Sequence, residues 1–142
     1  MPDNTGKNGE IKYNITDAEW KVMKALWEKK AYNPETELSL GEIVDALRPG
    51  ITWSMHTVKM LLIRLADKDI VKMNRPGHYH KYHAIAKEND CAVQETKTLV
   101  DKVFGGSAAL MVSTLINSGG LSPEDKAEIL KLIESVKNDG GE

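Results

Sequence analysis

SMHTVKMLLIRLADKDIVKMNRPGHYHKYH, residues 54–83, changes its hydrophobic period near its middle, and that change decides the fold. In the first half Val58, Leu61, Leu62 and Leu65 recur at helical spacing, and Ser54 supplies an N-cap. The opposite side of that helix carries His56, Lys59, Met60, Ile63 and Arg64. A helix that merely faces water does not carry this mixture. It suits docking onto a polar, anionic surface, with Met60 and Ile63 adding apolar contact. From Ile70 the pattern is strand-like: Ile70-Val71-Lys72-Met73-Asn74, then Arg75-Pro76-Gly77 as a turn, then His78 to His83 alternating at period two. The stretch predicts a helix followed by a hairpin with a basic, glycine-containing turn.

On its N-terminal side two more helices are expected. Thr16-Asp17-Ala18-Glu19 is a capping box, in which the Thr16 hydroxyl accepts the Glu19 N–H and the Glu19 carboxylate accepts the Thr16 N–H. Trp20, Met23, Leu26 and Trp27 form the apolar stripe that follows, Ile15 is placed to staple it, and Tyr32-Asn33-Pro34 breaks the helix. Ser39-Leu40-Gly41-Glu42 is a second capping box, with Ile43, Val44 and Leu47 buried behind it and Pro49-Gly50 as its stop. Three helices and then a basic hairpin is the order of a winged helix-turn-helix, whose third helix enters the major groove of DNA.

The C-terminal side reads as all helix. Glu88 to Phe104 is long and mixed, Gly105-Gly106 breaks it, Ser107 to Asn117 is strongly apolar, and Ser122-Pro123-Glu124-Asp125 starts a last helix with Ile129, Leu130, Ile133 and Val136. Short helices with little core of their own need a partner surface, which argues for a homodimer. The expected dimerisation residues are Leu99, Val103, Phe104, Leu110, Met111, Leu115, Ile116, Ile129, Leu130 and Ile133. The expected fold class is therefore mainly α, an α+β winged helix-turn-helix with a C-terminal α-helical dimerisation region. Its expected divisions are a flexible tail (1–12), the DNA-binding domain (13–87), the helical dimerisation region (88–137) and a flexible tail (138–142).

Composition sets the outer bounds. The 142 residues are 41% hydrophobic and 28% charged, ordinary for a soluble folded chain. No run approaches the roughly 18 apolar residues that span a bilayer, so no membrane insertion is expected. Met1 to Glu10 is polar and mixed in charge, unlike a signal or transit peptide, and a cytoplasmic location is expected. The single cysteine, Cys91, excludes a disulfide framework and a multi-thiolate zinc site. Met1 to Lys87 carries 14 Lys+Arg against 11 Asp+Glu, whereas Glu88 to Glu142 carries 5 against 10. All four histidines and the densest basic charge lie within residues 51–87, where a polyanion would be met. No phosphate-binding loop, nucleophile triad or convincing pair of catalytic carboxylates is present, so an enzyme is not expected, nor is any cofactor.

These residues resemble the BlaI/MecI penicillinase-repressor family of bacterial transcription factors. The resemblance is carried by Ile15-Thr16-Asp17-Ala18-Glu19-Trp20 with Val22-Met23 and Trp27, and by Thr52-Trp53-Ser54 leading into Thr57-Val58-Lys59, Leu61-Leu62 and Arg64-Leu65. Farther on, Leu99 to Ser107 and Leu121-Ser122 resemble the family's dimerisation segment, so the match runs from about Ile15 to Val136. It implies a homodimer on a near-palindromic double-stranded DNA operator, often built on TACA/TGTA half-sites, that blocks transcription. It also implies base or phosphate contacts at Ser54, Thr57 and Lys59 and a backbone contact at Arg64. Met55 stands where proline is common, His56 where lysine is common and Met60 where threonine is common, all at base-proximal positions. The loop Tyr32 to Leu38 is longer than usual. The residues Val136 to Glu142 contain no cysteine, unlike the copper-responsive branch.

The expected DNA-binding residues are Ser54, His56, Thr57, Lys59, Met60, Arg64, Lys72, Arg75 and Lys81, with Lys68 also counted among the phosphate-neutralising cations. His78 and His80 fall on one face of the second strand and His83 on the other, so one hairpin does not converge them on a metal; they read as wing residues near phosphates. Cys91 has only acids nearby (Glu88, Asp90, Glu95) and reads as a structural thiol. Trp53 reads as a packing anchor. In the family's β-lactam-resistance members, a membrane sensor pathway leads to proteolysis within the dimerisation region, commonly at an Asn–Phe bond; Thr114-Leu115 stands at that place here, which leaves three alternatives: cleavage there, cleavage at another bond, or no such route. Two other functions remain open: a metal- or redox-responsive winged-helix regulator, and a winged helix used for protein–protein contact.

Overall fold

The computed structural model describes residues 12–75, 77 and 79–139. In chain order it contains α1 (Asp17–Glu28), a 3-10 turn (Pro34–Thr36), β1 (Leu38–Ser39), α2 (Leu40–Leu47), α3 (Met55–Asp67), β2 (Val71–Asn74), β3 (Lys81–Ala84), α4 (Glu88–Phe104), α5 (Ala108–Asn117) and α6 (Pro123–Asp139). This is the expected winged helix-turn-helix followed by helices. Residues 1–11 and 140–142 of the expected tails, and the turn residues Pro76 and His78, lie outside the described residues. The chain divides into two compact units, one ending at Gln94 and the other beginning at Glu95.

In the first unit both capping boxes form. Thr16 N–H donates to Glu19 Oε1 at 2.9 Å and Glu19 N–H to Thr16 Oγ1 at 3.2 Å; Ser39 and Glu42 repeat the exchange at 3.0 and 3.2 Å. α1 buries Val22, Met23, Ala25, Leu26 and Trp27, α2 buries Ile43, Val44 and Leu47, and α3 buries Val58, Leu61, Leu62 and Leu65 in one shared core. Trp27 packs edge-on to Trp20 with ring centroids 5.5 Å apart, and its indole N–H donates to Ala86 O at 3.0 Å. That bond ties α1 to the chain leaving the sheet. The first turns of α4 also belong here: Cys91 is buried, and Gln94 accepts the Tyr13 N–H at 2.8 Å.

The sheet has the order β1-β3-β2, antiparallel throughout. Val71 pairs with Ala84, Met73 with Tyr82, and Tyr82 with Leu38; this row of alternate residues faces the core, with Tyr82 buried. Lys72 pairs with His83, Asn74 with Lys81, and Lys81 with Ser39, on the other face. Two details differ from expectation. β3 begins at Lys81 and leaves out Tyr79 and His80 of the expected strand, because β2 ends at Asn74 opposite Lys81. β1 is new: two residues are too few for a period to show, and only pairing to β3 makes them a strand.

The second unit is different in kind. Among its described residues Val100 alone is buried, and α5 buries none. Leu99, Val103, Leu110, Leu115 and Ile116 are exposed, Phe104, Met111 and Ile129 are half-buried, and on α6 Leu130 and Ile133 are 61% and 59% exposed. Gly105, Gly106 and Gly119 take positive φ (57°, 89° and 76°), which interrupts the helices on both sides of α5. Among the described residues no single helix is long and apolar enough to cross a membrane; only α4 and α5 taken together reach that length and composition, across a bend.

One buried ion pair joins the ends of α1 and α3. Lys68 Nζ donates to Glu19 Oε1 at 2.7 Å and to Asn14 O at 2.8 Å, while Glu19 is 1% exposed and its Oε2 has no partner among the described residues. Burial alone would raise the Glu19 carboxyl, but the Lys68 bond, the Thr16 N–H and the Lys68 charge outweigh it and hold it below its ordinary value. A carboxyl lowered on folding contributes stability that is present above its unfolded value and lost as pH falls through the folded one. Urea unfolding of Glu19→Gln should therefore show a shallower loss of stability below pH 4.5, its ordinary value, than wild type does. Lys68→Met should cost about 2 kcal/mol at neutral pH by the same measurement, because it strips a donor from a buried carboxylate.

Candidate nucleic-acid interface

α3 is committed to the core along one side only. Ser54 caps it, accepting the Thr57 N–H at 3.2 Å, with the two hydroxyls 3.1 Å apart. Ser54, Met55, His56, Thr57, Lys59, Met60 and Arg64 are all exposed, and Ile63 is half-buried. The approach to the helix is braced. Trp53 is half-buried against the core, Arg48 Nη2 donates to its carbonyl at 3.3 Å, and the Lys21 ammonium lies 5.8 Å from its ring centroid. Trp53 thus packs as an anchor at the start of α3.

The hairpin stands beside this face. A cleft of about 600 Å³ is lined by Met55 and Lys59 of α3, by Ser39 to Glu42 at the start of α2, and by Tyr79 to Tyr82 of the hairpin. Lys72 and Arg75 are exposed and Lys81 is half-buried. The Glu42 carboxyl is held below its ordinary value, first by the Ser39 N–H and further by the Lys81 charge. Tyr79, 77% exposed on the hairpin, is a surface ring that the period-two reading did not single out.

Two residues expected near phosphates are engaged elsewhere. Lys68 is held by Glu19 and Asn14 and serves the joint between α1 and α3. His83 is buried, with its Nδ1 3.0 Å from Glu37 Oε2, which also accepts Asn74 Nδ2 at 2.6 Å. Sequence spacing could not find either bond, because the partners lie 49 and 46 residues away. His80 is half-buried, its ring 6.5 Å from that of Tyr82, and it lines the cleft. Among the described residues no group of three or more His, Cys, Asp or Glu side chains converges.

The profile of the penicillinase repressor family matches residues 15–135. The chain belongs to the penicillinase repressor family. Its similar relatives include the methicillin resistance regulatory protein MecI of Staphylococcus aureus, 25% identical over 121 residues, which are 85% of this chain and 94% of that protein. The penicillinase repressor of Bacillus licheniformis is 27% identical over 124 residues, 87% of this chain and 92% of the relative. Among solved structures, that of the Bacillus licheniformis BlaI monomeric form in complex with the blaP half-operator has a TM-score of 0.44 and 28% identity, covering 55% of this chain and 88% of that one. The family is one of DNA-binding transcriptional repressors, not of enzymes.

In this family member the lone thiol is poorly suited to sensing. Cys91 is 2% exposed, and burial, then the charges of Asp90 and Glu88, push its pKa up to about 11. Alkylation by iodoacetamide at pH 8 should be at least about a hundredfold slower in the folded protein than in denaturant, as read by intact mass over time. Equal rates would show an accessible thiolate.

Proposed function

We propose that this repressor works as a homodimer on a near-palindromic operator, with α3 in the major groove and the β2–β3 hairpin alongside. The observation that carries the reading is the division of α3: Val58, Leu61, Leu62 and Leu65 are buried, while Ser54, His56, Thr57, Lys59, Met60 and Arg64 are all open to solvent. Lys59, Arg64, Lys72, Arg75 and Lys81 neutralise phosphates, and Ser54 and His56 sit at a helix N-terminus that favours one. Thr57 and Met60 meet base edges or thymine methyls. The dimer buries the apolar residues that the second unit leaves in water, and its two-fold symmetry sets two half-sites about one helical turn apart.

Derepression, on this reading, is cleavage at Thr114-Leu115 through a membrane sensor pathway. α5 supports it by being exposed and bounded by glycines, so that local unwinding disturbs no core. An intact chain, followed by mass spectrometry in cells derepressed by a β-lactam, would count against it. A redox switch on Cys91 is disfavoured by its burial and raised pKa.

Fluorescence anisotropy on a TACA/TGTA palindrome and a scrambled duplex, across a salt series, tests the main reading. Tight binding to the palindrome at two chains per duplex is the expected result; no binding to either at low salt would sink it. Lys59→Ala should weaken binding to both duplexes and reduce the slope of log K against log salt by about 0.9. Ile133→Lys should give a monomer by sedimentation at micromolar concentration and lose the palindrome's advantage, whereas an unchanged mass would place the dimer surface elsewhere.

A further inference from the structure

The first unit holds a carboxylate where a DNA-binding protein has reason to avoid one. Glu37 ends the long loop after α1 and immediately precedes β1. Its side chain is 6% exposed, beside a His83 side chain 11% exposed, so it is withdrawn from solvent rather than displayed. Glu37 Oε2 engages two strands at once: it accepts from Asn74 Nδ2 of β2 at 2.6 Å and lies 3.0 Å from His83 Nδ1 of β3, within hydrogen-bond distance.

The register gives this contact its meaning. His83 is the direct cross-strand partner of Lys72, and Asn74 that of Lys81. Each residue gripped by Glu37 therefore neighbours a lysine of the hairpin, and Arg75 directly follows Asn74. The ladder between β2 and β3 is only four residues long on each strand, and a two-stranded ribbon of that length is marginal without further support. β1 contributes only two paired residues, ending short of His83.

We propose that Glu37 is the positioning residue of the wing: by clamping Asn74 and His83 together it fixes where Lys72, Arg75 and Lys81 meet the DNA backbone. The proposal rests on the reading of this hairpin as a DNA-contacting wing. It assigns a role to the extended Tyr32–Leu38 loop, which delivers the carboxylate. Glu37 itself touches no DNA; its two hydrogen bonds offset the cost of withdrawing the carboxyl group from solvent.

The test compares wild type, Glu37→Ala and Glu37→Gln as full-length chains on the palindromic duplex across a salt series, with amide hydrogen exchange of the free proteins. Gln keeps an acceptor oxygen and removes the charge. Glu37→Ala should bind about tenfold more weakly, the loss of a charge-assisted hydrogen bond's worth of positioning. Its salt slope should fall by about 0.9 for each phosphate that the displaced wing no longer neutralises. Exchange should quicken in β2 and β3 while α1 stays protected. Glu37→Gln should restore most of the affinity and all of the slope. A Glu37→Ala that matches wild type in affinity and slope overturns the proposal, as does a Glu37→Gln that binds no better than Ala or tighter than wild type, since charge would then be what matters. If Glu37→Ala does not fold, Asn74→Ala removes one arm of the clamp and carries the same comparison. Wild-type protein that fails to bind any duplex would instead strike the DNA-reading assignment itself, a result distinguishable from failure of the clamp alone.

Discussion

Burial of Val58, Leu61, Leu62 and Leu65 is the constraint on which the molecule is organised. Those four side chains lock α3 against α1 and α2, and a helix locked along one stripe has no rotational freedom left. Its other side must then point outward at a fixed angle. Recognition by a helix needs that: side chains held in a set direction by groups that do not themselves take part. The Trp53 anchor extends the same logic to the residue before the N-cap, and its Arg48 and Lys21 contacts stiffen the approach.

Polar interactions do a second kind of positioning around that core. The two capping boxes fix where α1 and α2 begin, and the first also supplies the carboxylate that Lys68 clasps from the far end of α3. A single glutamate thus satisfies a helix terminus and ties two helices together. Glu19 Oε2, without a partner among the described residues, shows the cost of that economy, since a buried carboxylate oxygen without a donor is unfavourable. Glu37 repeats the device at the sheet, with Asn74 and His83 converging on one of its oxygens.

Most of the fold was legible because its signals are local. Capping boxes, helical stripes and the glycine breaks at 105–106 and 119–120 each sit within a few residues of the feature they specify, and the helix bounds followed from them. What escaped was non-local. β1 exists only through its partner strand, and Lys68 and His83 looked like surface cations until distant carboxylates claimed them. The outward residues of α3 were identifiable because their placement follows from the buried stripe, whereas the wing residues depended on a loop geometry that no periodicity encodes. The acidic C-terminal half was read as helices wanting a partner, and they are indeed helices with their apolar side chains largely uncovered.

The placement of the tryptophans has a practical consequence for how the protein's unfolding is observed. Trp20, Trp27 and Trp53 all belong to the unit that ends at Gln94, and the other contains none. Intrinsic indole emission is therefore blind to α5 and α6, while far-ultraviolet dichroism registers every helix. Superimposable transitions in the two signals would mean that both units melt as one cooperative body, and separated midpoints would give each unit its own free energy without any label or truncation.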